Sequence, residues 1–208
     1  MPRSQAPLIA REGILFILGA LAAVIAGYHF YGTAGLAAGG VLLLLVVLIF
    51  RDPYREVPSL PLGVVSPVDG RVTRIEVEAN GVLGTAALRI GLRINNFGAY
   101  TVRSPVEGKL LSLGEHAAVR SRIPAVHGLW VQTDEQDDVV LLFSGPPVVG
   151  RPAAFVRYGE RIGQGQRCAF LRLARCAELY LPTASRVEVK VGDRVLSGTS
   201  LLATLIHK

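Results

Sequence analysis

An all-β domain preceded by an α-helical membrane hairpin is the fold class that this 208-residue sequence predicts. Three observations carry the prediction. Residues 13–50 contain no Asp, Glu, Lys or Arg. Beyond residue 61, short aliphatic runs are punctuated by glycine and none holds a helical period. Two pairs of phrases also nearly repeat: "SPVDGRV" (66–72) with "SPVEGKL" (104–110), and "VRYGERIGQGQRCAFL" (156–171) with "VKVGDRVLSGTSLLAT" (189–204). A phrase carried twice predicts a duplicated, flattened β-barrel or sandwich.

The uncharged stretch comes first. It reads "GILFILGALAAVIAGYHF", then "YGTAG", then "LAAGGVLLLLVVLIF". A membrane span needs roughly 17–25 apolar residues, so the break in the middle favours two short helices over one long one. Tyr28, Phe30 and Tyr31 sit where an aromatic belt meets the far interface. Arg3 and Arg11 precede the stretch, Arg51 and Arg55 follow it, and the turn carries no Lys or Arg. The positive-inside rule then places both ends in the cytoplasm. A cleaved signal peptide is the rival, but no polar mature region separates the two apolar runs. A buried core hairpin is the soluble alternative. Residues 1–50 are therefore expected to form a membrane hairpin, spanning or re-entrant.

Charge and cysteine narrow the partners. The chain has 22 basic and 16 acidic residues, a net of +6, and a mean hydropathy of +0.42. Residues 62–208 alone keep a net charge of about +5. No nucleic-acid motif or aromatic-interleaved basic patch accompanies it, so nucleic acid is not an expected partner. Beside a membrane hairpin, the anionic cytoplasmic leaflet is the nearer one. Cys168 and Cys176 are expected to stay reduced thiols, and His29, His116, His127 and His207 show no metal-ligand spacing with them. No metal is expected.

Residues 51–61, "RDPYREVPSLP", hold three prolines and predict an extended linker. Residues 62–208 form the β domain. "GRVTRIEVE" sets Val72, Arg74, Glu76 and Glu78 against Thr73, Ile75 and Val77, and further strands are expected at "TAALRIGLRI", "KLLSL", "GLWVQT", "DVVLLF", "AAFVRY", "CAFLRL", "AELYLP", "VEVKV" and "SLLATL". The glycines of the echoed phrases supply turn geometry. Together the phrases resemble the hairpins of biotinyl/lipoyl-type β-sandwiches. No Met-Lys-Met stands at a hairpin tip, which argues against a swinging-arm carrier.

Seven motifs in series point further. "REG", "FRDPYREVP", "VVSPVDGRV", "VRSPVEGKL", "LLFSG", "GERIGQG" and "LYLP" occur in this order, behind the apolar stretch, and cover nearly the whole chain. In this the chain resembles the compact form of phosphatidylserine decarboxylase. The resemblance implies a proenzyme that cleaves itself at a Gly-Ser bond, the Ser becoming a pyruvoyl group that serves as electron sink for decarboxylation. It also implies an Asp and a His assisting that Ser.

Carried over residue by residue, the family's Asp falls on Asp69. Its His falls on Tyr100 in "AYTVRSP", and its Gly-Ser falls on Ala174 and Arg175 in "RLARCAELYLP". Arg has no hydroxyl or thiol for the acyl shift and no β-leaving group. Tyr, with an ordinary pKa near 10, is a poor base at neutral pH. The resemblance therefore implies a pseudoenzyme without a pyruvoyl group, one that binds anionic phospholipid or partners an active paralogue or a second copy. The expected location is the cytoplasmic face of a bacterial-type inner membrane. Asp69 is the retained position, and it also reads as a turn carboxylate satisfying nearby N–H groups. An active decarboxylase using another nucleophile is the alternative. Cys176 lies one residue beyond the expected position, where a strand would turn it to the opposite face, and the hydroxyls of "SGTS" (197–200) lie in a hairpin. A structural subunit of a membrane complex is the third reading.

Overall fold

The computed structural model describes residues 13–58, 60–79, 81–82, 84–95, 98–114, 127–144, 153–171 and 174–206. Arg3, Arg11, His116 and His207 lie outside these residues. The chain divides into two compact units, Met1–Tyr54 and Arg55–Lys208.

The first unit is built on helix α1 (Ile14–Phe50), the one helix among the described residues long and apolar enough to cross a membrane. Its helical path breaks at Gly32, where φ is 62° and ψ −138°. A side chain is strained in that region, and only glycine enters it readily. The chain reverses there into two arms of 18 residues, each about 27 Å long at 1.5 Å per residue. Small residues let the arms touch: the backbones of Gly27 and Gly35 meet, and a Cβ on Gly39 would lie 2.8 Å from the Val24 Cα. At the open end Phe16 stacks on Phe50 with ring centroids 5.2 Å apart. Close approach through glycine is how helices associate when no hydrophobic gain is available between them. Leu15, Phe16, Ile25, Val41 and Leu44 point outward, each more than half exposed.

The second unit is all β. Numbered in chain order, its largest sheet runs β13 (Arg194–Val195), β2 (Gly70–Glu78), β3 (Ala87–Ile94), β11 (Cys176–Pro182), β7 (Asp138–Ser144), β6 (His127–Gln132), β5 (Gly108–Gly114), β9 (Arg161–Ile162). Two three-stranded sheets complete it. One is β1 (Gly63–Val65), β14 (Leu201–Thr204), β12 (Arg186–Val187); the other is β4 (Thr101–Arg103), β10 (Arg167–Phe170), β8 (Ala153–Ala154). All three sheets are open, and every pairing is antiparallel. Register lines up Ile90, Leu179, Leu141 and Leu129 across four neighbouring strands, all at most 3% exposed. This aliphatic rung forms the centre of the core, and cross-strand pairs of this kind are the unit of sheet stability.

The echoed phrases fold alike. Ser66 Oγ donates to Val68 O (2.8 Å) and Ser104 Oγ to Val106 O (2.7 Å). Gly198 N donates to Ser66 O as Gly165 N does to Ser104 O. Val72 N donates to Asp193 O and Gly192 N to Val72 O; Leu110, Glu160 and Gly159 repeat that pair of bonds. The turn acids match too, with Lys190 N donating to Asp193 Oδ2 and Arg157 N to Glu160 Oε2. Gly70 and Gly108 open β2 and β5, and a Cβ on either would strike the opposite strand's backbone at Arg93 or Gln132.

Two strand expectations change: of "VEVKV" (187–191) only Val187 joins a strand, β12, and the period of β2 is interrupted. The alternation in "GRVTRIEVE" breaks because the β2–β3 register shifts between Val72 and Arg74, leaving Thr73 and Arg74 both exposed. An extra residue in one strand turns the following side chains to the other face. β5 shifts against β6 at the corresponding point, between Leu110 and Ser112.

Candidate functional site

Asp69 ends the Ser-Pro-Val-Asp turn before β2 and is 5% exposed. Its Oδ2 accepts from Arg55 Nη2 at 2.7 Å and from the Ala99 amide at 2.9 Å, and its Oδ1 accepts from the Ser197 amide at 2.8 Å. Ser197 Oγ in turn donates to Pro67 O at 2.9 Å. Both carboxylate oxygens are thus committed to donors that charge and backbone fix in place. Of these partners, Arg55 entered the sequence reading only as a charge flanking the apolar stretch and Ser197 only among the hydroxyls of "SGTS"; neither was expected beside Asp69. Arg55 sits in the proline-rich segment and Ser197 in the distant "SGTS" hairpin, so neither spacing announces the contact.

Tyr100 follows the amide that holds Asp69 and is 4% exposed. Its ring lies 6.3 Å, centroid to centroid, from Phe170, and its carbonyl accepts from Leu171 N at 2.8 Å. Burial pushes the phenol's pKa above its ordinary value. Its phenolate is correspondingly scarcer at neutral pH, which makes it a poorer base still.

The end of β3 ties Asp69 to the segment before β11. Ile94 N donates to Arg175 O (2.9 Å), and the next amide, Asn95 N, donates to Asp69 O (2.8 Å). Arg175 N donates to Ser144 O at 3.1 Å, so the segment is held from both sides. Asp69 and Arg175, both placed by the resemblance, are therefore tied to one strand end, and Tyr100 follows the Ala99 amide that bonds Asp69. β11 begins at Cys176, so Arg175 precedes the ladder, and both side chains are exposed. The opposite-face argument against Cys176 does not apply at this point of the chain. Ala174 is half-buried.

A pyruvoyl group derives from a residue carrying a β-leaving group. Arg175 carries none, so the residues present do not fit that group at this position.

Beside Arg175 lies an open depression of about 750 Å³ lined by Gly70, Arg71, Arg93, Asn95 and Arg194. Register makes the basic row: Arg194 lies directly opposite Arg71, and Arg71 directly opposite Arg93. Cys176 continues it on β11, opposite Arg93. Among the described residues no carboxylate pairs with Arg71, Arg93, Arg175 or Arg194, and all four are exposed. Like charges directly opposite on neighbouring strands are destabilising. Elsewhere on the same sheet the charges are matched: Arg89 meets Glu76 (3.2 Å), Glu78 and Glu178 (2.5 Å). Among the described residues no group of three or more His, Cys, Asp and Glu is placed to hold a metal ion.

Fold and site define a β-domain protein with an apolar N-terminal helix and a buried aspartate held in a repeated Ser-Pro turn. The family model for phosphatidylserine decarboxylase matches residues 42–203. The phosphatidylserine decarboxylase proenzyme of Nitrosomonas eutropha is 32% identical over 95% of both chains, and that of Burkholderia ambifaria 35% identical over 96% of this chain and 97% of its own. Among solved structures, the glucose permease IIA of Mycoplasma capricolum aligns with 68% of this chain and 94% of its own at a TM-score of 0.48 and 19% identity. The chain belongs to the phosphatidylserine decarboxylase family.

Proposed function

We propose that this family member is a pseudoenzyme: a membrane-anchored protein that stays one polypeptide, carries no pyruvoyl group and binds anionic phospholipid, alone or beside an active paralogue or a second copy. The observation that carries this reading is Arg175. The resemblance sets it in the place of the self-cleaving Ser, and it carries no group able to attack the preceding carbonyl. Its neighbours support the reading, because Asp69 is held by Arg55, Ala99 and Ser197, and Tyr100 is a buried phenol where the resemblance implies a His.

In this reading residues 1–50 are the membrane hairpin, 51–61 the linker and 62–208 the cytoplasmic β domain at a bacterial-type inner membrane. The outward-facing apolar side chains of α1 support the anchor. The β domain is read as a duplicated, flattened barrel or sandwich of biotinyl/lipoyl-type hairpins, and the matched hydrogen bonds of the two halves support it. The test is carbon dioxide release from phosphatidylserine by the purified full chain. No release above the no-protein background is expected.

The second reading, an active decarboxylase, rests on Cys176, whose exposed thiol stands one residue past Arg175 on the same strand end. Carbon dioxide release that disappears in Cys176→Ala would establish it and refute the first.

A further inference from the structure

The matched halves of the β unit provide an internal control for the arginine cluster. In the half opened by Gly70, the row is Arg194, Arg71 and Arg93. In the half opened by Gly108, the corresponding row is Arg161, Lys109 and Gln132. There Arg161 is neutralised, pairing with Asp134 and lying 3.9 Å from Glu107, while Lys109 has no carboxylate partner among the described residues. The depression beside it, about 260 Å³, is lined by Glu107, Asp134 and Glu135. One scaffold has thus been decorated twice, once with two cations beside three acids and once with four arginines and no carboxylate partner among the described residues. Of the acids next in sequence to lining residues, Asp69 is buried and paired with Arg55, and Asp193 Oδ2 accepts from Lys190 N. Folding alone gives no reason to gather like charges in a row, because their repulsion opposes it. A ligand supplies the reason.

We infer that the depression of Arg71, Arg93, Arg175 and Arg194 binds a phosphoryl group bearing two or more negative charges, a phosphomonoester or a diphosphate. Guanidinium groups match the oxygens of such a group in bidentate pairs. Four of them around a phosphodiester monoanion leave three positive charges unmet, whereas a dianion leaves two and a trianion one. The inference deepens the proposed function by naming the charge state that the site selects. It also gives Arg175 a purpose: the residue that ends self-cleavage completes the anion site.

The test uses the full chain in a non-ionic detergent, titrated by calorimetry with sodium pyrophosphate, with dihexanoyl phosphatidic acid and with dihexanoyl phosphatidylserine. At least one of the first two probes is expected to bind tenfold or more tightly than phosphatidylserine. Arg71→Gln, Arg93→Gln, Arg175→Gln and Arg194→Gln are each expected to weaken that probe at least tenfold, with Lys109→Gln and Arg161→Gln within twofold of wild type. Tight pyrophosphate with weak phosphatidic acid identifies a soluble ligand, and the reverse identifies a lipid head group; either supports the site. Failure of both probes to bind overturns it, as does equal weakening by the Lys109 and Arg161 variants. Phosphatidylserine binding as tightly as phosphatidic acid also overturns it, while leaving phospholipid binding itself standing. The intact mass of the same sample reports separately whether the chain has cleaved itself.

Discussion

Arg55 reaches from the segment after the helical unit to Asp69, its Nη2 lying 2.7 Å from Oδ2 with side chains only 11% and 6% exposed. This buried pair, with the Ala99 and Ser197 amides on the same carboxylate, makes Asp69 a fastener of the turn. Breaking one side of a buried pair is costly because the partner stays charged and desolvated. Asp69→Ala is therefore expected to destabilise the β unit by about 3 kcal/mol, lowering Tm by roughly 6–12 °C for a unit of this size. Thermal unfolding followed by circular dichroism checks it. An unchanged Tm would mean that the carboxylate is not structural.

The two cysteines should behave differently. Cys176 is exposed, whereas Cys168 is wholly buried, and desolvation pushes its thiol up to about 12 despite the opposing charge of Arg103. A maleimide reagent at pH 7.5 should therefore label one thiol in the native chain and two after denaturation. Labelling at Cys168 in the native state would contradict the packing.

The same thiol gives a pH dependence with a definite sign. The folded state keeps a proton that the unfolded chain releases above its ordinary value near 9. The contribution is intact below pH 9 and declines as pH rises toward about 12, by up to about 1.4 kcal/mol per unit. Between pH 9 and 10, before the buried Tyr100 and Tyr180 phenols add their own slopes, denaturant titrations should show this decline in the wild type and not in Cys168→Ala.

Much of the architecture could be read directly from local pattern. An uncharged run with an internal Tyr-Gly-Thr break contains the reversal at Gly32, because both signals are local to one helix. The echoed Ser-Pro and Gly-acid-Arg phrases produce matching turns because Ser Oγ and the turn acid bond within three residues. What long-range pairing decides was not readable. Arg55 to Asp69 spans 14 positions and Ser197 to Asp69 spans 128. Arg71, Arg93 and Arg194 are unremarkable singly and become a row only through register. The bulge after Val72 likewise belongs to the strand pair, not to either strand's composition.

The anchor can be separated from the β unit at a boundary that spares Arg55. Removing residues 1–54 should release the remainder from carbonate-washed membranes in soluble form, with the Arg55–Asp69 pair retained. Persistence of residues 55–208 in the membrane pellet would show that a second attachment dominates.

Restoring chemistry should require more than one residue. Arg175→Ser alone is expected to leave the chain intact on denaturing gels, because the resemblance sets Tyr100 where the assisting His is implied. Adding Ala174→Gly and Tyr100→His restores the full set beside Asp69, and fragment formation is expected only in that triple variant. Cleavage in the single variant would show that no base at position 100 is needed.

The intact mass of the purified wild-type chain tests the central claim most directly. A single polypeptide of about 22.2 kDa, with no smaller partner, is the result expected of a chain whose Arg175 cannot perform the acyl shift. Two chains, split beside residue 174 and with a blocked N-terminus on the shorter one, would contradict the account.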